Sequence, residues 1–312
     1  MSSTLERRVV TLGGARVGAG PAVVIAGRIS LRARPVARPH DGPTDGWPPP
    51  GARDGLAGRV PLVEPAGAGD LPAVAARADG VVIGASWTRD IPLVRAAAAL
   101  GLPVVVERRP SASLEEWLGL ADYCAMEGGG EVILCETGRL DLGLLRAARE
   151  ASGRPVVADV TGRPGLSAAA LAAGADGLVL GGLPAAPGGE GEDAYGMGVV
   201  DPEELRAARE AVTLVGALLR PETPATLPEC REAIDRVDAA LATLLERRAE
   251  LAGVVQTLKP VGGFAGRDME RERSLVARMA RRAPALGEER LAAVMNAVIE
   301  AGLHLAEERR RA

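Results

Sequence analysis

Three cations interrupt or border an apolar stripe in the last third of the chain. Between residues 227 and 259 the stripe recurs at spacings of three and four, at Ile234, Val237, Leu241, Leu244, Leu251, Val255 and Leu258. This spacing predicts one long helix with a coiled-coil-like face. The register demands an apolar residue at position 248 and the chain has Arg248, while Arg231 lies three residues before the stripe and Lys259 ends it. Buried cations need partners, so the pattern predicts an anionic ligand, unless the side chains merely reach out to solvent.

Helix geometry limits which of these cations can share one ligand. Arg248 and Lys259 are 11 positions apart. That is close to three whole turns, so they share a face about 16 Å apart at roughly 1.5 Å per residue. Arg231 is 17 positions from Arg248, about 25 Å on the same rule, too far to reach the same small molecule within one subunit. If Arg231 joins the site, it comes from an antiparallel partner chain, and a homodimer is implied.

The motifs of this region resemble the all-helical (AroQ-type) chorismate mutases over nearly the whole C-terminal domain. The matching positions are Cys230, Arg231, Ile234, Asp235, Asp238, Arg248, Glu250, Leu251, Ala252, Lys259, Asp268, Arg271 and Glu272. Lysine and arginine together number 37, and the single lysine falls where this family has its catalytic lysine. The resemblance implies a three-helix domain that forms an intertwined homodimer through its C-terminal helices and converts chorismate to prephenate.

The resemblance also implies a role for each site residue. Arg248 and the partner's Arg231 clamp the two carboxylates of chorismate. Lys259 serves the ether oxygen and a neighbouring carboxylate. Glu272 accepts a hydrogen bond from the ring hydroxyl, with Asp268 and Arg271 orienting that wall of the site.

The third helix departs from the family pattern. Where the family has a serine and, four residues on, a glutamine or glutamate that contacts the ether oxygen, this chain has Gly302 and Ala306. The adjacent Glu307 substitutes only if the helix is rotated or shifted by one residue. Loss of the donor costs on the order of 10²-fold in rate. Three other functions are compatible with the sequence. They are an aminodeoxychorismate mutase, an isochorismate-pyruvate lyase, and a non-catalytic regulator that binds chorismate-like ligands or an active DAHP synthase.

The elements before residue 223 predict a different fold. Eight short β-branched runs, from VVTL to GLVLGG, alternate with helix-like stretches, which indicates a parallel α/β domain. Two Pro- and Gly-rich segments, at 31–59 and 184–198, read as long loops, so one unit of a barrel is missing. The predicted fold is α/β plus all-α: an incomplete or modified (β/α)8 barrel over 1–222, then helices at about 227–259, 267–282 and 287–310 within a domain spanning 223–312.

Residues 8 to 183 resemble the type I DAHP synthases, metal-dependent barrels that condense phosphoenolpyruvate with erythrose 4-phosphate. The likeness lies in segments such as VTLGGARVGAGPAVVIAG, PVVVERRPSASLEEWL and AAGADGLVL. The family's catalytic positions differ here: its cysteine ligand aligns with Ile29, its phosphoenolpyruvate-binding lysine with Glu107, and its histidine segment is shortened after Asp159. The prediction is a pseudoenzyme without a metal or other cofactor, acting as a dimerisation platform, small-molecule sensor or docking surface.

Composition limits the remaining function classes. The formal net charge is −4, and 47% of the residues are hydrophobic. These values argue against nucleic-acid binding. The three cysteines and two histidines form no metal-ligand spacing. The apolar runs are too short to span a bilayer, and the N-terminus contains Glu and Arg where a secretory signal would be apolar. These features predict a cytoplasmic protein that does not bind a membrane. A shikimate-pathway enzyme is a further candidate partner.

Overall fold

The computed structural model describes residues 7–33, 60–128, 131–181, 200–219, 224–259, 261 and 263–311. The chain divides into two compact units, Met1–Pro224 and Ala225–Ala312. Most of the first loop expected from the sequence, and all of the second, lie outside the described residues. Each unit is described by itself.

The first unit is a closed parallel barrel, as predicted. Its seven strands within the described ranges are β3 (Val23–Ser30), β4 (Val60–Glu64), β5 (Ala78–Ile83), β6 (Val104–Glu107), β7 (Val132–Glu136), β8 (Val156–Asp159) and β9 (Gly177–Gly181). Each strand pairs with the next in parallel, and β9 pairs with β3 to close the barrel. Its helices are α1 (Leu71–Arg77), α2 (Ile91–Ala98), α3 (Leu114–Gly128), α4 (Leu142–Ser152), α5 (Ser167–Ala172) and α6 (Pro202–Leu219).

The first β-branched run is not a barrel strand. It forms β1 (Val10–Leu12), which pairs antiparallel with β2 (Ala15–Val17). Gly13 and Gly14 between them have φ of 55° and 88°, the positive values that a two-residue hairpin turn requires. This hairpin lies within VTLGGARVGAGPAVVIAG, one of the segments that carry the likeness to the DAHP synthases.

Alternation along the strands separates an inner from an outer apolar layer. The inner layer joins one or two residues of each strand to the hairpin, and comprises Ile25, Leu62, Val82, Val105, Ile133, Cys135, Val157, Val179, Val10, Leu12 and Val17. A Cβ at Gly80, near the start of β5, would lie 2.7 Å from Leu12 Cδ1. Glycine at this position leaves space for the hairpin side chains, which close the N-terminal end of the barrel.

The second unit consists of three helices, as predicted: α7 (Leu227–Leu258), α8 (Met269–Ala280) and α9 (Gly287–Arg311). Thr226 begins α7 with a capping box, in which its side chain accepts a hydrogen bond from the Glu229 amide. α9 contacts both α7 and α8. The buried apolar core of this unit is small and centres on Val276, Leu291 and Met295.

The apolar stripe of α7 lies largely at the surface of the unit. Ile234, Val237, Leu241, Leu244, Leu251 and Leu258 are each more than half exposed. Ala240 is the buried residue of this 32-residue helix. Six large apolar side chains in one line are more than a monomer normally leaves in water. We refer to these six residues as the α7 stripe. Among the described helices, none is long and apolar enough to cross a membrane.

Candidate active site in the helical domain

A cavity of about 280 Å³ opens in the second unit. Its walls come from α7, the connection to α8, and helices α8 and α9. The lining residues are Arg248, Leu251, Ala252, Val255, Gln256, Lys259, Gly263, Gly266, Arg267, Arg271, Glu272, Leu275, Arg278, Ile299, Gly302 and Leu303. Four of the seven residues predicted for the site, Arg248, Lys259, Arg271 and Glu272, therefore meet at one cavity.

Arg248 is half-buried at the contact between α7 and α9. Its Nη1 donates a hydrogen bond of 3.2 Å to the carbonyl of Val298. Gly302, one turn further along α9, borders this guanidinium, and a Cβ there would make an ordinary contact with Arg248 Nη1 at 3.8 Å. The remaining Arg248 donors are left to a ligand in the cavity.

Lys259 lies where α7 ends. It is the C-cap residue with extended backbone, and its Nζ donates to the carbonyl of Gly266 at 2.7 Å. An ammonium group has three donors, and among the described residues only one of them is used. The α7–α8 connection therefore holds the ammonium group beside the cavity and leaves two N–H groups for an anion.

Glu272 is fixed by Arg267, a residue that sequence reasoning missed. Arg267 Nη2 and Nε donate to the two Glu272 oxygens at 2.6 and 3.2 Å. The same guanidinium donates to Glu300 at 3.3 Å and to Asn296 Oδ1 at 2.7 Å on α9. The hydrogen bond to Glu272 raises the pKa of Arg267. Arg267 thereby ties the start of α8 to α9 and sets the orientation of the Glu272 carboxylate.

The other predicted residues have separate positions. Asp268 is the N-cap of α8, and its Oδ1 accepts from the Arg271 amide at 2.9 Å, so it acts on the site by starting the helix. Arg231 is exposed on α7, and Glu307 is partly buried on α9. Arg231, Glu307 and Asp268 are not among the described residues that line the cavity.

The charge of the cavity walls favours an anion. Five cationic side chains, Arg248, Lys259, Arg267, Arg271 and Arg278, line it together with one carboxylate, Glu272. No sequence motif identified Arg267 or Arg278 as residues of the site. Arg267 immediately precedes a helix N-cap and Arg278 lies in the last turn of α8, and arginine is common everywhere in this chain. A small dianion matches this excess of positive charge.

A second charged cluster lies inside the C-terminal mouth of the barrel, where barrel enzymes have their active sites. Arg28 of β3 meets Glu64, Glu107 and Asp159, the last residues of β4, β6 and β8. Its guanidinium forms ion pairs with Glu64 at 3.1 Å and Asp159 at 3.5 Å, and contacts Glu107 most closely. Burial raises the pKa of Glu107 to about 6, against the effect of Arg28.

The residues at this mouth do not fit a divalent metal. The three carboxylates surround a guanidinium, and a metal at their centre would meet that fixed positive charge. The described residues contain no group of three or more His, Cys, Asp or Glu side chains arranged to hold a metal ion. Outside this cluster of one arginine and three carboxylates, Arg108 forms a buried ion pair with Glu136, with N–O distances of 2.5 and 2.6 Å. The charges at this mouth are paired within the cluster, although Arg28 Nε is buried without a hydrogen-bond partner in the described part of the chain.

A parallel α/β barrel and a separate three-helix domain with an anion-binding cavity therefore define this protein. Comparison with known proteins identifies both parts. The family model for chorismate mutase type II matches residues 230–307. Phospho-2-dehydro-3-deoxyheptonate aldolase of Thermotoga maritima is 32% identical over 140 residues, covering 39% of this chain and 41% of that protein. The chain thus spans about two fifths of the length of this curated relative.

Solved structures agree on the barrel. The crystal structure of the Thermotoga maritima aldolase (DAHP synthase) has a TM-score of 0.55 and 26% identity, covering 68% of this chain and 74% of that one. A truncated form of 3-deoxy-D-arabino-heptulosonate 7-phosphate synthase from the same organism has a TM-score of 0.54 and 26% identity, covering 68% and 94%. The chain carries a C-terminal chorismate mutase type II domain and an N-terminal DAHP synthase-like barrel.

Proposed function

We propose that the helical domain converts chorismate to prephenate. The observation that carries this proposal is the cavity in which Arg248, Lys259, Arg271 and the Arg267-bound Glu272 meet. Chorismate is a small dianion with a ring hydroxyl, and the walls offer separate cations together with one oriented carboxylate. The type II family match over residues 230–307 supports the same substrate.

The reaction needs positioning more than proton transfer. The ether C–O bond breaks while a C–C bond forms from the side chain to the ring, in one cyclic movement of electrons without gain or loss of a proton. Arg248 holds a carboxylate, so that the side chain lies over the ring in reactive geometry. Lys259 stabilises the negative charge that develops on the ether oxygen. Glu272 accepts from the ring hydroxyl, and Arg271 orients that wall.

The proposed enzyme is a homodimer through the C-terminal helices. The α7 stripe leaves six large apolar side chains more than half exposed, which a second copy of this helix would bury. Arg231 lies on the same helix beyond the reach of its own cavity. In an antiparallel pair, the partner's Arg231 approaches the cavity of the first subunit and binds the second carboxylate. Asp268 and Glu307 act at the edge of the site rather than in its lining.

The barrel has a different proposed role. Its mouth contains Arg28 ion-paired to Glu64, Glu107 and Asp159, in place of metal ligands and phosphate-binding cations. We propose that it does not catalyse aldol condensation and serves assembly or regulation, with another enzyme of the shikimate pathway as a possible partner. A condensation assay with phosphoenolpyruvate, erythrose 4-phosphate and added divalent metal tests this directly, because any metal-dependent product contradicts it.

A related activity of the same cavity is the second candidate. Gly302 and Ala306 remove two polar groups from α9, and this change is where a preference for aminodeoxychorismate or isochorismate would arise. Binding of a chorismate-like ligand without turnover is the non-catalytic alternative. Each is tested by offering the three substrates in parallel to the same protein.

The deciding experiment follows chorismate by NMR with the full chain, Lys259→Ala and Arg247→Ala. Arg247 is the matched control because it precedes Arg248 on α7 but pairs with Glu250 at the surface, with its side chain 68% exposed. We expect prephenate from the wild type and Arg247→Ala, and at least a 10²-fold loss in Lys259→Ala. Unchanged chorismate with wild type, or equal rates in all three, contradicts the proposal.

A further inference from the structure

Gln256 is the only neutral polar side chain among the described residues that line the cavity. It lies on α7, three residues before Lys259 and eight after Arg248. On a helix these offsets are rotations of about 60° and 80°, so Gln256 projects from the same side of α7 as both cations. It therefore borders the space between the groups proposed to bind the ether oxygen and a carboxylate.

The orientation of this amide follows from its one hydrogen bond. The backbone N–H of Gly263 donates to Gln256 Oε1 at 2.7 Å. Because a backbone N–H only donates, the atom facing it must be the oxygen, and the NH₂ group is the other end. Gly263 is buried and has a φ of 71°, a conformation that favours glycine and brings this N–H back toward α7.

The NH₂ end is available to a ligand. No described residue accepts a hydrogen bond from Gln256 Nε2 in the structure, and the side chain borders the cavity. On the facing helix, Gly302 and Ala306 are buried and contribute no polar side-chain atom. The wall formed by α7 thus holds a neutral donor, and the wall formed by α9 lacks one.

We infer that Gln256 donates a hydrogen bond to the ether oxygen of the substrate as its C–O bond breaks, acting beside Lys259. This inference rests on the proposed chorismate rearrangement and names a catalytic residue for it. A donor aimed at an atom that gains negative charge in the transition state lowers the barrier more than it strengthens substrate binding. Anchoring of Oε1 by Gly263 holds the amide in place without reorganisation.

The test is Gln256→Glu in the full chain, with kcat and KM for chorismate measured between about pH 5 and pH 8. The glutamate still accepts from the Gly263 amide, so the α7–α8 connection keeps its contact. As a carboxylate it cannot donate, and kcat at pH 8 should fall on the order of 10²-fold with a smaller change in KM. Protonation restores an O–H donor, so kcat of this variant should rise as the pH falls, unlike that of the wild type.

Two further variants separate catalysis from structure. Gln256→Met keeps the length of the side chain without a donor, so its kcat should stay low at every pH. Thr257→Ala alters an exposed neighbour on α7 and should behave as wild type. A Gln256→Glu enzyme with the wild-type kcat at all pH values overturns the inference while leaving the mutase proposal intact. A wild type that leaves chorismate unchanged overturns both.

Discussion

The charged clusters of the two units have opposite environments. In the barrel, Arg28 is enclosed by three carboxylates that pair with its Nη1 and Nη2 groups. In the helical domain, Arg248 and Lys259 each donate one hydrogen bond to a backbone carbonyl among the described residues. Backbone carbonyls carry no net charge, so the cavity retains its positive potential. This contrast explains why we assign ligand binding to the helical domain.

Glu107 makes the stability of the barrel depend on pH. Its pKa is raised from 4.5 to about 6 in the folded protein, mainly by burial. The folded state therefore binds this proton more tightly than the unfolded chain. The resulting stabilisation is fully present below about pH 4.5 and is lost as the pH rises through about 6. A shift of this size corresponds to about 2 kcal/mol in the free energy of unfolding.

We expect Glu107→Gln to remove this dependence. Urea unfolding followed by tryptophan emission measures it in the full chain, because the three tryptophans, Trp47, Trp87 and Trp117, all precede residue 223. Between pH 4.5 and pH 7, the free energy of unfolding of the wild type should fall by about 2 kcal/mol relative to that of the variant. A pH-independent difference would show that Glu107 ionises normally.

At the scale of elements, the proposed function gives α7 three roles, in packing, assembly and binding. Its length of 32 residues corresponds to about 48 Å at roughly 1.5 Å per residue. One end carries Arg231 and the other carries Lys259. The α7 stripe lies along the helix between them, so the apolar contact with a second copy also determines how far the partner's Arg231 is from each cavity.

The dimer is tested by Leu241→Glu. Leu241 is 51% exposed within the α7 stripe, and a carboxylate there would be buried without a partner in the paired helices. Analytical ultracentrifugation should give twice the 32.0 kDa chain mass for the wild type and the chain mass for the variant, with loss of mutase activity. Ala239→Glu, about 200° around the helix from residue 241, is the control. A variant that stays dimeric contradicts the proposed interface.

At the scale of the whole molecule, the proposed site belongs to two chains. Arg248, Lys259 and Glu272 come from one subunit, and Arg231 comes from the other. The barrel adds its own core and its self-paired charges, without a metal-binding group among the described residues. In the proposed symmetric dimer, contact between the helical domains alone would complete both cavities.

Mixing two inactive variants tests this shared site. Arg231→Ala and Lys259→Ala each damage both cavities of their own homodimers. After unfolding and refolding together at equal amounts, half of the dimers are mixed, and each mixed dimer has one intact cavity. Activity should therefore recover to about a quarter of the wild type, as two-fold symmetry requires. No recovery, with mixed dimers demonstrated by native mass spectrometry, would place Arg231 outside the site.

Local patterns carried much of the architecture. The three-and-four spacing on α7 predicted a helix over 227–259, and the structure has it at Leu227–Leu258. The β-branched runs predicted parallel strands, and the closed barrel confirms all of them except the first, which lies in the antiparallel hairpin. The convergence of Arg248 and Lys259 also followed from helix geometry, because eleven residues are close to whole turns. These are short-range properties, which the order of residues alone defines.

The contacts between distant segments were decided by the tertiary structure. Arg248 meets Val298 across 50 positions, and Arg267 reaches Glu300 across 33. The seven positions from Gln256 to Gly263 are bridged only because the chain turns back after α7. In the barrel, Arg28 and Asp159 meet because β9 closes on β3. Periodicity says which face a residue occupies, but only packing of that face against another element decides which groups neutralise each other and which stay open to a ligand.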